Sequence, residues 1–243
     1  MKLLLVNPNT TAAMTETAAR AAAGVAAAGT VIEAVTSAMG PESIEGYYDE
    51  ALAVPGLLHE IARGEQAGAD AAIIACFDDT GLDAARSLAA IPVVGLCEAA
   101  VATASFVAPR FSIVTTLPRS ITPIEHLVAR YGMAGRASVR ASGVPVLALE
   151  DPDSGAHDRI LQEIQAAIRE DRAEAIILGC AGMASLARAL SQRIGMPVID
   201  GVCAAVKQAE ALVSLGLRTA KGGAYAAPAA KRYAGLLAPF APR

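Results

Sequence analysis

Ala71-Ala72-Ile73-Ile74-Ala75-Cys76 and Ala175-Ile176-Ile177-Leu178-Gly179-Cys180 decide the reading of this chain. Each is a short, continuously apolar run ending in a cysteine, the pattern of a strand covered on both faces. Such strands belong to the parallel sheets of α/β folds. Around them, landmarks recur in one order. Pro92 follows Cys76 by 16 residues within Ile91-Pro92-Val93-Val94, and Pro197 follows Cys180 by 17 within Met196-Pro197-Val198-Ile199. Cys97 and Cys203 follow those prolines by five and six residues. Leu4-Leu5-Val6-Asn7-Pro8-Asn9-Thr10 also matches Val114-Thr115-Thr116-Leu117-Pro118-Arg119-Ser120, each a strand, a turn and a helix start. The repetition predicts an α/β protein of two similar, pseudo-symmetric lobes, residues 1–108 and 109–215. Each lobe is a parallel sheet flanked by helices, with the site in the cleft between them. Residues 216–243 are expected to pack back on the first lobe.

Working outward, strands are predicted at Lys2–Asn7, Val31–Thr36, Ala71–Ala75, Val93–Leu96, Phe111–Thr115, Ser138–Ala141, Ala175–Leu178 and Val198–Ile199. Helices are expected near Thr11–Ala28, Leu52–Gln66, Asp83–Ala89, Glu98–Phe106, Ser120–Tyr131, Ser154–Asp171, Ala184–Arg193 and Cys203–Leu215.

Composition narrows the function classes. A chain of 243 residues that is 54% hydrophobic and 18% charged, with net charge −4, is folded rather than disordered. Charges such as Arg20, Glu33, Glu65 and Asp70 interrupt every apolar stretch before it reaches the roughly 18–20 residues of a membrane span. The amino-terminal apolar stretch is too short for a signal peptide, so a cytoplasmic location is expected. With no basic stripe and few aromatics, nucleic-acid binding is not expected. The four cysteines form no Cys-x-x-Cys, and His59, His126 and His157 fall at no metal-ligand spacing. No metal and no cofactor is expected, since neither a Gly-x-Gly-x-x-Gly fingerprint nor a Walker loop is present.

The chemistry then falls to thiols. Ligands of open parallel sheets bind outside the carboxyl ends of the strands, where Cys76 and Cys180 lie. Phe77-Asp78-Asp79-Thr80-Gly81 and Ala181-Gly182-Met183 come directly after them and open helices, so unpaired N–H groups should lower the thiol pKa values. Duplication would set the two thiols on facing walls of one cleft. That is the arrangement a stereoinverting proton exchange needs, one sulfur removing a proton from one face while the other delivers a proton to the opposite face. Backbone N–H groups at the two turns would serve the enolate oxygen.

These residues resemble the cofactor-independent Asp/Glu racemase superfamily. Within it the likeness is to the hydantoin racemase branch, with allantoin racemases closely similar. It covers roughly 1–215 and rests on Val6-Asn7-Pro8-Asn9-Thr10, on Gly40-Pro41-Glu42-Ser43-Ile44-Glu45-Gly46-Tyr47-Tyr48-Asp49-Glu50, on Cys76 through Arg86, and on Leu178-Gly179-Cys180-Ala181-Gly182-Met183. The resemblance implies an isomerase that racemises 5-monosubstituted hydantoins, with Cys76 and Cys180 as the acid–base pair, and a homo-oligomer. Amino-acid racemases of the superfamily carry Asn-Thr and Thr-His after their two cysteines, whereas Phe77-Asp78 and Ala181-Gly182 stand here. A small cyclic ureide is therefore the expected partner rather than a charged amino acid. The cysteine pair also argues against the related decarboxylases, which keep one cysteine.

The candidate substrate-binding residues are Asn7, Asn9, Phe77, Asp78, Asp79, Thr115, Thr116, Ala181, Gly182 and Met183. Each has a plainer reading: Asn7 and Asn9 as turn and cap formers, Asp78 and Asp79 as helix caps. Met39, Ile44 and Tyr47 are candidate lid residues, an apolar cover that would favour alkyl or aryl substituents over the ureido group of allantoin. Cys97 and Cys203 read as structural thiols. A two-lobed solute-binding or sensor module is the alternative of another class, though it has no use for thiols at both strand ends.

Overall fold

The computed structural model describes residues 1–151 and 153–242, leaving Pro152 and Arg243 outside the described residues. Its elements are β1 (Lys2–Asn7), α1 (Ala12–Val25), β2 (Val31–Thr36), α2 (Tyr47–Gln66), β3 (Ala71–Ile74), α3 (Leu82–Leu88), β4 (Val93–Gly95) and α4 (Leu96–Val107). After these come β5 (Phe111–Thr115), α5 (Ile121–Arg130), β6 (Ala137–Ala141), α6 (Ala156–Ala166), β7 (Ala175–Leu178), α7 (Ala187–Ile194), β8 (Val198–Asp200) and α8 (Gly201–Ser214). Every strand lies within one residue of its predicted bounds. Two four-stranded sheets result, ordered β2-β1-β3-β4 and β6-β5-β7-β8, with all pairings parallel. The same order in both sheets is the structural form of the sequence repeat.

Strand alternation sorts the core into three layers. Leu3 and Leu5 of β1, Ala71 and Ile73 of β3, Ile113 of β5, and Ala175 and Ile177 of β7 all face one central cluster. Leu4, Val6, Ala72 and Ile74 face outward against Leu57 and Ile61 of α2 and Leu82 and Ala85 of α3. Val114, Ile176 and Leu178 do the same against Ile160 and Ile164 of α6 and Leu190 of α7. Both faces of each sheet are thus buried, which is why the central strands read as unbroken apolar runs.

The central layer ties the halves together. Helix α4 leaves β4 of the first sheet and packs against α5, β7 and β8, while α8 leaves β8 of the second sheet and packs against β1, β3, β4, α1 and α4. Each half thereby lends one helix to the other. Beyond α8 the chain runs over the first half: Thr219 N–H donates to the Ala90 carbonyl (3.0 Å), Lys221 Nζ to the Arg86 carbonyl (2.6 Å) and Tyr225 hydroxyl to Asp83 (2.9 Å).

One helix start differs from expectation by more than three residues. Helix α2 begins at Tyr47, five residues before the predicted Leu52, behind a Gly46 with φ of 136° and no side-chain cap. Its carboxylates Asp49 and Glu50 in the first turn favour the positive helix end.

Candidate active site

In a sheet ordered 2-1-3-4, the chain departs in opposite directions from β1 and β3, leaving a crevice at their carboxyl ends. Asn7 and Cys76 stand at that point in the first sheet, and Thr115 and Cys180 at its counterpart in the second. The two crevices open on one another, and Cys76 and Cys180 line a single cavity. Asn9, Phe77, Asp78, Thr115, Thr116, Ala181 and Ile44 share its wall. Met14, Ala75, Ser120, Val146 and Gly179 complete it.

Those last five were not foreseen from the sequence. Met14 and Val146 come from elements that only the folded chain brings over the cleft. Ile44 and Val146 both line the cavity, and Glu45 Oε1 accepts the Val146 N–H from the other half (3.1 Å).

Several predicted residues lie elsewhere. Asn7 is buried, but its side-chain amide is spent on Asn9 Oδ1 (2.8 Å), the Thr11 carbonyl (3.2 Å) and Thr15 Oγ1 (3.0 Å), so it orients Asn9 instead of lining the cavity. Asp79 turns away from the cavity and caps α4, accepting from Cys97 N–H and Glu98 N–H (both 2.9 Å). Met183 also departs from expectation: its N–H donates to the Cys180 carbonyl (3.1 Å) and its side chain belongs to the outer core. Met39 and Tyr47 stand outside the cavity wall, Tyr47 on the exposed start of α2 with its hydroxyl near His126 Nδ1 (3.5 Å). Gly182 stays beside the site, for a Cβ on it would lie 3.8 Å from the Cys180 sulfur.

The expectation of depressed thiol pKa values is overturned. Burial, followed by the Asp78 carboxylate, holds Cys76 well above its ordinary value despite the Thr80 hydroxyl hydrogen-bonded to its sulfur (3.3 Å). Burial pushes Cys180 up to about 12, only partly offset by the Gly182 N–H. No regular helix begins at either sulfur: Cys76 opens a turn that reaches α3 only at Leu82, and Cys180 precedes a short 3₁₀ segment. Desolvation of the charged form outweighs the few N–H dipoles. Asp78 is raised to about 7 by burial and then by its neighbours Glu50 and Asp79. Burial therefore favours the protonated form of both thiols. The wall pairs these two sulfurs with hydroxyls, an amide, one carboxyl group near neutrality and an apolar side formed by Met14, Ile44, Phe77 and Val146. Such a wall suits a small, uncharged ligand with N–H donors.

The model of the Asp/Glu/Hydantoin racemase family matches residues 3–209 of the chain. Hydantoin racemase from Rhizobium meliloti is 52% identical, over 97% of this chain and 98% of that protein. Hydantoin racemase from Pseudomonas sp. (strain NS671) is 50% identical, over 99% of this chain and 97% of that protein. Among solved structures, allantoin racemase from Klebsiella pneumoniae superposes with a TM-score of 0.97 at 47% identity, each chain covered completely.

Proposed function

The chain belongs to the Asp/Glu/hydantoin racemase family, and from that premise we propose that it is an isomerase interconverting the enantiomers of 5-monosubstituted hydantoins. The observation that carries the reading is the placement of Cys76 and Cys180, from matched strand ends, on one cavity. In each turnover one sulfur acts as thiolate and the other as thiol. The thiolate takes the proton from ring carbon 5, and the C–H electron pair moves into the adjacent carbonyl to give a planar enolate. The opposite S–H then delivers its proton to the other face as the carbonyl re-forms. The enzyme ends with thiol and thiolate exchanged, ready for the reverse enantiomer, and no external reductant, oxidant or second substrate is consumed.

The remaining wall supplies binding. Asp78 accepts a ring N–H, while Asn9 Nδ2, Thr116 and Ser120 offer donors to ring carbonyls and enolate oxygen. A preorganised donor of this kind is worth roughly 3–4 kcal/mol in the transition state, and positioned acid–base groups contribute about 10²–10⁴-fold. A free amino acid would bring its carboxylate beside Asp78 without a cation in the cavity wall, so charged amino acids are poor substrates. The protein works as a homo-oligomer on small molecules in the cytoplasm, without a cofactor.

Allantoin, a hydantoin bearing a ureido group on carbon 5, lies within the same substrate class, and the likeness to the Klebsiella allantoin racemase favours including it. Polarimetry with an alkyl hydantoin, an aryl hydantoin, allantoin and aspartate, side by side, tests the reading. Loss of rotation with the first two and none with aspartate is expected; loss with aspartate alone would overturn it, and a rate confined to allantoin would move the assignment to that substrate.

A further inference from the structure

Asp79 lies in the Cys76–Gly81 turn but off the cavity wall. Its backbone closes that turn: its N–H donates to the Cys76 carbonyl (3.2 Å) and its carbonyl accepts the Leu82 N–H (3.0 Å). It does so at a φ of 48°, the left-handed region that Asp tolerates better than most residues. Its buried carboxylate has three donors. Two are the N–H groups of Cys97 and Glu98 in the first turn of α4, the helix lent to the second half. The third is the Tyr131 hydroxyl at 2.6 Å, at the carboxyl end of α5 in the second half. One carboxylate therefore joins the turn bearing Cys76, the crossing helix and the opposite lobe. Gly95 leaves room for it, since a Cβ there would lie 2.3 Å from Asp79 Oδ1.

The other half is built differently. The N-cap of α8 is Asp200, at the foot of the helix itself, accepting the Cys203 N–H (2.8 Å), and not a residue of the turn bearing Cys180. The pseudo-symmetry is broken in one direction, with the tie across the lobes on the Cys76 side.

We propose that Asp79 and Tyr131 are positioning residues that fix the Cys76 sulfur relative to the second lobe, and so set the spacing of the two thiols across the substrate. The proposal rests on the reading of Cys76 as an acid–base residue, but the thiol's placement can be tested independently of turnover. Tyr131→Phe keeps the half-buried ring and deletes only the hydroxyl. Two readouts on the full-length protein are needed: kcat and KM for an alkyl hydantoin, and the iodoacetamide alkylation rate of each cysteine, resolved by peptide mass spectrometry.

The expected result is a fall in kcat of about tenfold with KM within about twofold, because misplacement by a fraction of an ångström acts on the chemical step. Cys76 alkylation should rise several-fold while Cys180 and Cys203 keep their rates. An unchanged kcat, an unchanged Cys76 rate, or a parallel rise at Cys180 and Cys203 would each overturn the proposal, the last by showing general loosening. Asp79→Asn, which keeps one accepting oxygen but sets an NH2 donor against the donors that faced the other, should show the same selectivity with a larger loss. Were Cys76→Ser to retain full racemisation, the catalytic reading would fall, and the alkylation pattern would still decide whether the tie positions this turn.

Discussion

Replacing Gly179 by Ala tests the active-site geometry at its tightest point. Gly179 ends β7 directly before Cys180, and its backbone is fixed to the neighbouring strand by its N–H to the Val114 carbonyl (2.9 Å) and by Thr115 Oγ1 donating to its carbonyl (3.1 Å). A Cβ would lie 3.0 Å from both Cα and Cβ of Thr115 and 3.1 Å from Ile113 Cγ2. Carbon atoms prefer about 3.5–4.0 Å, so the two strands must give by a few tenths of an ångström. All three clashing atoms belong to the buried strand β5, one of them to its backbone, and the new methyl is not a flexible side chain that can turn aside. Overpacking of this kind costs about 1–3 kcal/mol, or a Tm lower by roughly 2–12 °C at this chain length. Because Cys180 moves with Gly179, and about 1 Å of misplacement can cost about 10²-fold, a shift of a few tenths of an ångström should lower kcat by roughly tenfold. Circular dichroism melting and polarimetry on the same preparation measure both. A variant with wild-type Tm and kcat would refute the claim that this contact sets the position of Cys180. The first half carries Ala75 at the matching position, so Ala75→Gly should leave kcat within about threefold by the same reasoning.

Other outcomes are expected from the same structure. Both thiol pKa values are raised, so the thiolate is a minor species at pH 7 and its population grows with pH; kcat/KM should climb about tenfold per pH unit from pH 7 to 9, and a plateau beginning below pH 8 would contradict buried, elevated thiols. Asp78→Asn removes a carboxylate that raises both thiols, so its alkaline limb should move to lower pH while KM rises; an unmoved limb would count against that electrostatic coupling. Gly95→Ala drives a methyl into the Asp79 carboxylate, and loss of a cap together with an unsatisfied buried carboxylate should cost about 2–4 kcal/mol, read in thermal or urea unfolding.

The strands were legible because both faces of each sheet are buried, which leaves runs such as Ala175-Ile176-Ile177-Leu178 nothing polar to interrupt them. The duplication was legible because a cysteine at each strand end and a proline before each last strand gave it fixed points. The exchange of α4 and α8 between halves was not, since helices as rich in Ala as Ala99-Ala100-Val101-Ala102 present similar faces to either sheet. The start of α2 was hidden because Gly46 carries no capping side chain and Tyr47-Tyr48 reads as a cover over the cleft. Asp78 and Asp79 are the same letter side by side, yet a turn with Asp79 in the left-handed region sends one carboxyl into the cavity and the other to a helix end. The thiol pKa values could not be read locally, because the turns show N–H donors while the opposing desolvation comes from burial in the folded chain.

In the proposed mechanism Cys76 and Cys180 serve opposite faces of one carbon. Deuterium incorporation at carbon 5, followed by NMR for each separate enantiomer of an alkyl hydantoin in deuterated water, tests it in the Cys76→Ser and Cys180→Ser variants. Both variants should lose racemisation, and any exchange surviving in Cys76→Ser should be confined to one enantiomer while any surviving in Cys180→Ser is confined to the other. Racemisation at the wild-type rate in either variant, or exchange of the same enantiomer in both, would contradict it.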